Sequence, residues 1–177
     1  MSRKAPRPPL NDESLRELAL HYVGRFATSR ARLLAYLERK LRERGWSGEN
    51  PAAPDALVER LGELRYVDDA AYATMKSGAL ARRGFGPRRV EQALREAGIE
   101  AADRVAATTP DDAAAWEAAN RFARRKRLGP YATQTPDPAQ HQKAIAAFLR
   151  AGHDFATARR WLDAPPGIPP ERPDNEG

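Results

Sequence analysis

The chain has no cysteine in its 177 residues, which excludes a disulfide framework, a thiolate metal site and a cysteine nucleophile. It also lacks long hydrophobic runs. None approaches the ~20 apolar residues needed to cross a bilayer, and the basic amino terminus MSRKAPRPPLND is followed by no apolar segment, so neither a membrane span nor a signal peptide is predicted. A soluble cytoplasmic protein is expected, with no membrane partner. β-Branched residues are few and never alternate with polar ones, which argues against strands. The three histidines, His21, His141 and His153, are scattered without ligand spacing and read as surface or boundary residues, so no metal site is expected. GFG at 84–86 lacks the GxxxxGK[ST] arrangement that wraps a nucleotide phosphate. Asp68 with Asp69, and Asp111 with Asp112, resemble acid–base or metal-ligating pairs, but both stand where a helix begins, where an N-cap and a first-turn acid are favoured by the orphan N–H groups and the dipole. No catalytic constellation remains, so the chain is read as a non-enzyme without a cofactor.

Hydrophobic residues, 41% of the chain, are sufficient for a buried core. Alanine, leucine, arginine and glutamate dominate the body, which predicts an all-α fold. Thirty lysines and arginines against 24 acids give a net charge of +6, a balance that favours polyanions such as nucleic acid. The mixed signs, 31% charged residues in all, equally suit an exposed helical surface. Trp46, Trp116 and Trp161 are spaced as core anchors or as packing between repeats, with base stacking as the alternative.

Along the chain, residues 1–10 read as a flexible basic tail with no core to join, and 164–177 as a proline-rich disordered tail. A first helix is predicted from an Asn11 or Asp12 cap to about Phe26, with Leu15, Leu18 and Tyr22, and Val23 and Phe26 as further candidates, giving its apolar stripe. A second starts at Thr28 or Ser29, carries Leu34, Leu37 and Leu41 on one face, and ends at Gly45. A third opens at Pro54 or Asp55 with Leu57, Leu61 and Leu64. The pattern then restarts at Asp68 or Asp69, with Tyr72, Met75 and Ala79 inward. RRGFG breaks this helix, and Gly86 and Pro87 begin another whose core face is Val90, Leu94 and Ala97. Gly98 closes it, and a short helix over 101–107 follows. A third start at Asp111 and Asp112 leads through Trp116, Asn120 and Ala123, with Phe122 nearby, to Arg124–Arg127. Helices after Pro138, with Ile145, Phe148 and Leu149 inward, and after Gly152, with Phe155, Ala158 and Trp161 or Leu162 inward, complete the set. An apolar residue stands four before a helix-ending glycine at Leu41 and Gly45, Leu94 and Gly98, and Phe148 and Gly152. Those glycines are 53 and 54 residues apart. Near-constant spacing of this size is what stacked helical modules produce. Three tandem three-helix repeats are therefore expected over 11–66, 67–109 and 110–163.

Two basic clusters stand out. Arg82, Arg83, Arg88 and Arg89 flank a predicted helix amino terminus, whose free N–H groups and dipole would favour an anion. Arg121, Arg124 and Arg125 share one helical face and run into Lys126 and Arg127, an arrangement suited to several phosphate contacts or to a solvated helix end. Arg32, Arg39, Lys40 and Arg42 form a third group, diluted by glutamates and open to either reading.

RYVDDAAYA, followed by RRGFGPRRVEQALREAGI, resembles the RecX family of bacterial regulators of the RecA recombinase. SRARLLAYLERKLRERGW and FLRAGHDFATARRWL resemble that family's first and closing helices more weakly, and the likeness covers roughly residues 12–163. The loops SGENPAAP and YATQTPDPAQ and the proline-rich tails depart from it. The resemblance implies an elongated, curved all-α array. It also implies a regulator, acting in DNA repair, recombination and the SOS response, that binds the RecA filament on DNA, restrains it and performs no chemistry. RecA, DNA of either strandedness without sequence preference, and a monomeric state follow as expectations, with Arg82, Arg83, Arg88, Arg89, Arg95, Arg121, Arg124, Arg125, Lys126 and Arg127 as candidate contacts. The alternative is an independent DNA-binding protein that uses one triplet as a helix-turn-helix, presenting Arg88, Gln92 and Arg95 to base edges.

Overall fold

The computed structural model describes residues 7–108 and 112–173. Among them it is all-α: nine α-helices and one 3-10 turn, with no strand beyond an isolated bridge between Leu10 and Trp46. In chain order the helices are α1 (Asp12–Arg25), α2 (Arg30–Arg44), α3 (Pro54–Glu63), α4 (Asp69–Arg82), α5 (Pro87–Glu96), α6 (Ala101–Thr108), α7 (Asp112–Lys126), α8 (Pro138–Arg150) and α9 (Phe155–Asp163). The 3-10 turn, Gly129–Tyr131, lies between α7 and α8.

Local chemistry sets the helix boundaries. Asn11 accepts from the Ser14 N–H at 2.9 Å while Ser14 Oγ accepts from the Asn11 N–H at 2.9 Å, a reciprocal cap on α1. Ser29 caps α2, Asp137 and Gln140 form a second reciprocal cap on α8, and Asp154 caps α9. Asp68 accepts from the Ala71 N–H at 2.9 Å at the start of α4, and Asp69 Oδ1 accepts from the Arg30 N–H at 2.9 Å. Both carboxylates of this pair are therefore engaged with backbone. Asp111 lies outside the described residues, and Asp112 sits in the first turn of α7.

The chain forms two compact units. One comprises the residues up to Tyr72 together with Ala97–Glu100, and the other Ala73–Glu96 with the residues from Ala101 onward. The first unit's core is built from Leu10, Leu15, Ala19, Leu33, Leu37, Val58, Leu61 and Val67. Leu10 corrects the expectation of a tail without a core. It is fully buried, its N–H donates to the Gly45 carbonyl at 3.0 Å, and its carbonyl accepts from the Ser47 N–H at 2.8 Å. Burying a leucine side chain contributes about 1.5–3 kcal/mol, enough to hold a short proline-flanked segment in place. Leu33 is fully buried and Leu34 only partly, while Leu64, past the end of α3, is half exposed. Ser29, fully buried, donates from Oγ to the Ala97 carbonyl at 2.5 Å.

The second unit packs Phe122 and Ala123 of α7 against Ile145 and Phe148 of α8 and Trp161 and Leu162 of α9. The Phe122 and Phe148 rings meet edge to face at 4.8 Å, and Trp116 lies 5.1 Å from Trp161. Three expected core residues, Met75, Leu149 and Phe155, are instead 40% exposed or more. Met75 stands about 110° round α4 from the centre of the buried arc formed by Tyr72, Ala73 and Leu80, at 100° per residue. α6 buries no residue fully. The carboxyl-terminal segment turns back once, the Gly167 N–H donating to the Pro130 carbonyl at 2.8 Å.

Candidate nucleic-acid interface

The RRGFGP turn belongs to the second unit, and its backbone is almost wholly consumed by packing. α4 ends in a Schellman arrangement: the Gly84 N–H donates to the Ala81 carbonyl at 2.9 Å and the Phe85 N–H to the Leu80 carbonyl at 3.1 Å. Gly84 has φ +81°, and a Cβ there would stand 2.8 Å from the Phe122 backbone nitrogen of α7. Conformation and space therefore both require glycine. The next glycine meets the turn between α8 and α9. The Gly86 N–H donates to the Ala151 carbonyl at 2.8 Å, and the Arg88 N–H to the Gly152 carbonyl at 3.2 Å. A Cβ on Gly86 would lie 2.4 Å from the Gly152 oxygen.

This geometry corrects the expected anion site at the start of α5. Gly86 and Arg88 donate across to the other turn, Arg89 and Val90 donate back to the Gly86 carbonyl at 3.1 Å, and Pro87 has no N–H. The orphan donors that would have met a phosphate are satisfied within the protein.

His153 completes the clasp and corrects its assignment as a surface or boundary residue. It is 1% exposed, and its Nε2 lies 3.1 Å from the Gly84 carbonyl, so the neutral ring must carry its proton on Nε2 to donate. Burial pushes its pKa below the usual 6.5, against the opposing pull of the Gly84 bond and of Asp154. Partial burial pushes Asp154 upward, but the Thr157 N–H at 2.7 Å, the Thr157 hydroxyl at 2.8 Å and the Arg88 charge outweigh it and hold this carboxyl below its ordinary value.

The side chains around the turn divide into two groups. Arg121 and Arg125, one turn apart on α7, reach the carboxyl end of α4: Arg121 Nη1 approaches the Ala81 carbonyl at 3.5 Å and Arg125 Nη1 donates to the Arg83 carbonyl. There they complement the negative end of the helix dipole. The Arg125 guanidinium also lies over Phe85 at 5.8 Å and Phe122 at 5.6 Å, while Arg83 covers Phe85 at 5.5 Å and Arg124 covers Tyr131 at 5.4 Å. Arg82, Arg83, Arg121, Arg124 and Arg125 thus come from two sequence clusters about 40 residues apart, all exposed, with no carboxylate within ion-pair distance among the described residues. Lys126 and Arg127, at the end of α7, are exposed as well, with Arg127 at φ +54°.

The remaining candidates stand apart from that group. Arg89 is half-buried, bonded to Gln92 Oε1 at 2.9 Å and 4.0 Å from Glu96. Arg95 donates to Glu91 at 2.7 Å, and Arg104 lies 3.6 Å from the same carboxylate. The Arg95 hydrogen bond chiefly lowers the Glu91 pKa, against some desolvation. Sequence reasoning missed His153 and the α8–α9 turn as partners of RRGFGP, because nothing local in AGHD signals a contact more than 60 residues away.

No helix among the described residues is long and apolar enough to cross a membrane. Residues 68–107 match the family model described as RecX, second three-helix domain. A regulatory protein RecX of Myxococcus xanthus is 35% identical over 172 residues, covering 92% of this chain and 91% of that protein. Its counterpart in Deinococcus radiodurans is 38% identical over 96 residues, 54% of this chain and 44% of that protein. In fold, the chain is similar to a crystal structure of regulatory protein RecX, with TM-score 0.64 at 20% identity over 85% of this chain and 73% of that one. It is also similar to RecX from Lactobacillus salivarius, with TM-score 0.63 at 17% identity over 85% and 94%. By the fold, the second-triplet match and near full-length identity to a curated relative, this chain belongs to the RecX family of regulatory proteins.

Proposed function

We propose that the chain regulates the RecA recombinase by binding its filament on DNA and restraining it, acting in the cytoplasm as a monomer and through contact rather than catalysis. The observation that carries this reading is the convergence of Arg83, Arg121 and Arg125 on the carboxyl end of α4 and on Phe85, with Arg82 and Arg124 exposed next to them in the chain and no carboxylate within ion-pair distance of any of the five among the described residues. Such a cluster suits the phosphates of filament-bound DNA, of either strandedness, or an acidic face of the filament itself. Lys126 and Arg127 extend it along α7. Three repeats over 11–66, 67–109 and 110–163 would each offer a separate weak contact, and linked contacts add through effective concentration.

An independent helix-turn-helix regulator fits less well. Gln92, which would read a base edge from α5, is held between Arg89 and Glu96 at 2.9 Å each, and the start of α5 is covered by the carbonyls of 151 and 152. The test replaces Arg82, Arg83 and Arg124 together by alanine, sparing the two arginines that bond α4. The folded variant should inhibit RecA-driven ATP hydrolysis and strand exchange at least tenfold more weakly than the parent chain. Full inhibition by this variant, with circular dichroism unchanged, would exclude the cluster as the contact surface.

A further inference from the structure

A second candidate surface lies in the first unit, on the faces of α1 and α2, and it has a different chemistry. Tyr22 of α1 stacks on Tyr36 of α2 with ring centroids 4.2 Å apart and 23° between planes. Phe26, one turn beyond Tyr22, continues the series at 5.2 Å and 50°. Phe26 is 50% exposed, so the series ends in an aromatic surface open to solvent. Cations interleave with the rings: Arg25 lies 5.8 Å from the Phe26 centroid, Arg39 5.6 Å and Lys40 5.9 Å from that of Tyr36. Beside them runs an open groove of about 350 Å³, lined by Tyr22, Arg32, Ala35, Tyr36, Arg39 and Arg42, with no acidic residue in its lining.

The carboxylates that dilute this region in the sequence pair along α2 and do not enter the groove. Glu43 takes Lys40 at 2.5 Å and Arg39 at 3.7 Å, and Glu38 takes Arg42 at 3.9 Å. The Arg39–Glu43 and Arg42–Glu38 pairs are exposed, and exposed pairs of this kind add little stability. Arg25 and Arg32 have no carboxylate within ion-pair distance among the described residues.

We infer that this groove binds single-stranded nucleic acid, with a base stacked on Phe26 at the open end of the Phe26–Tyr22–Tyr36 series and phosphates held by Arg32, Arg39 and Arg42. The ligand must offer planar π-faces and negative charge in alternation, which is what an unpaired strand presents. A duplex keeps its base faces inside its own stack, and an acidic peptide has charge without the planar faces. Either would use the arginines and leave Phe26 idle. This inference is independent of the guanidinium cluster in the second unit.

The experiment measures binding of the full chain to a labelled oligothymidylate by fluorescence anisotropy at several salt concentrations. Phe26→Leu keeps the apolar bulk and removes the aromatic face. It should weaken binding about tenfold, the loss of one stacked base, without changing the salt slope. Arg32→Ala with Arg39→Ala should lower the slope of log affinity against log salt by about 0.7 per lost phosphate contact. Both sites are solvent-exposed, and unchanged thermal unfolding confirms that the variants are folded. Binding to the same sequence as a duplex should be indifferent to Phe26→Leu. The inference is overturned if oligothymidylate affinity and slope match the parent in both variants. It is overturned as well if Phe26→Leu weakens the duplex equally, or if polyglutamate of equal charge competes as well as the oligonucleotide, which would assign the groove to an acidic protein. Repeating the series in an Arg82→Ala, Arg83→Ala background separates this outcome from the fate of the second-unit cluster: the Phe26 effect persists there whether or not that cluster contacts RecA.

Discussion

Replacing Gly86 by alanine adds a single methyl group at the point where the two turns of the second unit clasp, and the structure sets the size of the effect. Gly86 is not among the positive-φ residues, so the substitution carries no conformational penalty of its own. The added Cβ would stand 2.4 Å from the Gly152 oxygen, 2.5 Å from its carbonyl carbon and 2.5 Å from the His153 nitrogen, all backbone atoms that cannot rotate away. The turns must separate, and with them go the Gly86 to Ala151 and Arg88 to Gly152 hydrogen bonds. Two such bonds contribute about 1–3 kcal/mol together. Strain from overpacking a close-packed site adds about 1–3 kcal/mol. A loss near 3 kcal/mol is expected, which for a chain of this length lowers Tm by roughly 6–12 °C. Thermal unfolding followed by circular dichroism, with urea unfolding as a second measure, reads it directly. Gly24→Ala is the control, since nothing lies within 4 Å of its Cβ and it sits in the last turns of α1, where alanine should be neutral or mildly stabilising. If Gly86→Ala unfolds within 0.5 kcal/mol of the parent chain, the clasp does not hold these turns together and the account of the RRGFGP segment fails.

Two further outcomes follow from the same region. Because His153 has a folded pKa below its usual 6.5, the unfolded chain binds its proton first as pH falls. The stability from the neutral buried ring is complete above pH 6.5 and is lost as pH drops below it, by up to about 1.4 kcal/mol per pH unit until the folded group also titrates. Chemical unfolding between pH 7.5 and 5 should show this slope, and His153→Gln, whose amide can reach the Gly84 carbonyl without titrating, should remove it. Arg125→Ala should cost about 1–2 kcal/mol in urea unfolding by releasing the Arg83 carbonyl and uncovering Phe85, whereas the neighbouring Lys126→Ala should change stability by less than 0.5 kcal/mol.

The helix boundaries were legible because their causes are local. A cap at Asn11 or Ser29, and a proline opening a helix at Pro54, Pro87 or Pro138, fix the termini through groups within four residues of one another. Which face turns inward was less legible. Adjacent leucines such as Leu33 and Leu34 differ by about 100° round the helix, and periodicity over four turns tolerates either phase. Leu10 escaped because a proline-flanked single leucine has no period at all, and only the parallel bridge to Trp46 shows where it goes. The start of α5 was misread for a related reason. A helix amino terminus predicts an acceptor, but the sequence does not say whether that acceptor is a ligand or the protein's own carbonyls at 151 and 152.

That correction changes what the basic turn can do, and it leads to a sharper view of where its charge resides. Once Gly84 and Gly86 are in contact with the backbones of α7 and the α8–α9 turn, the Arg83, Gly84, Phe85 and Gly86 N–H groups all donate to the protein's own carbonyls, and the exposed charge of the turn is carried by side chains. Arg121 and Arg125 are then drawn toward α4 by the carbonyls left at its carboxyl end, so the packing that removes an anion site from the backbone concentrates guanidiniums beside it. What the turn presents is a side-chain surface, supported from beneath by hydrogen-bonded glycine turns. It follows that stability and binding should separate by residue: substitutions at Gly84, Gly86, His153 and Arg125 act on the fold, and those at Arg82, Arg83 and Arg124 act on the partner. A variant of the first kind that weakened RecA inhibition without any loss of stability would contradict that division.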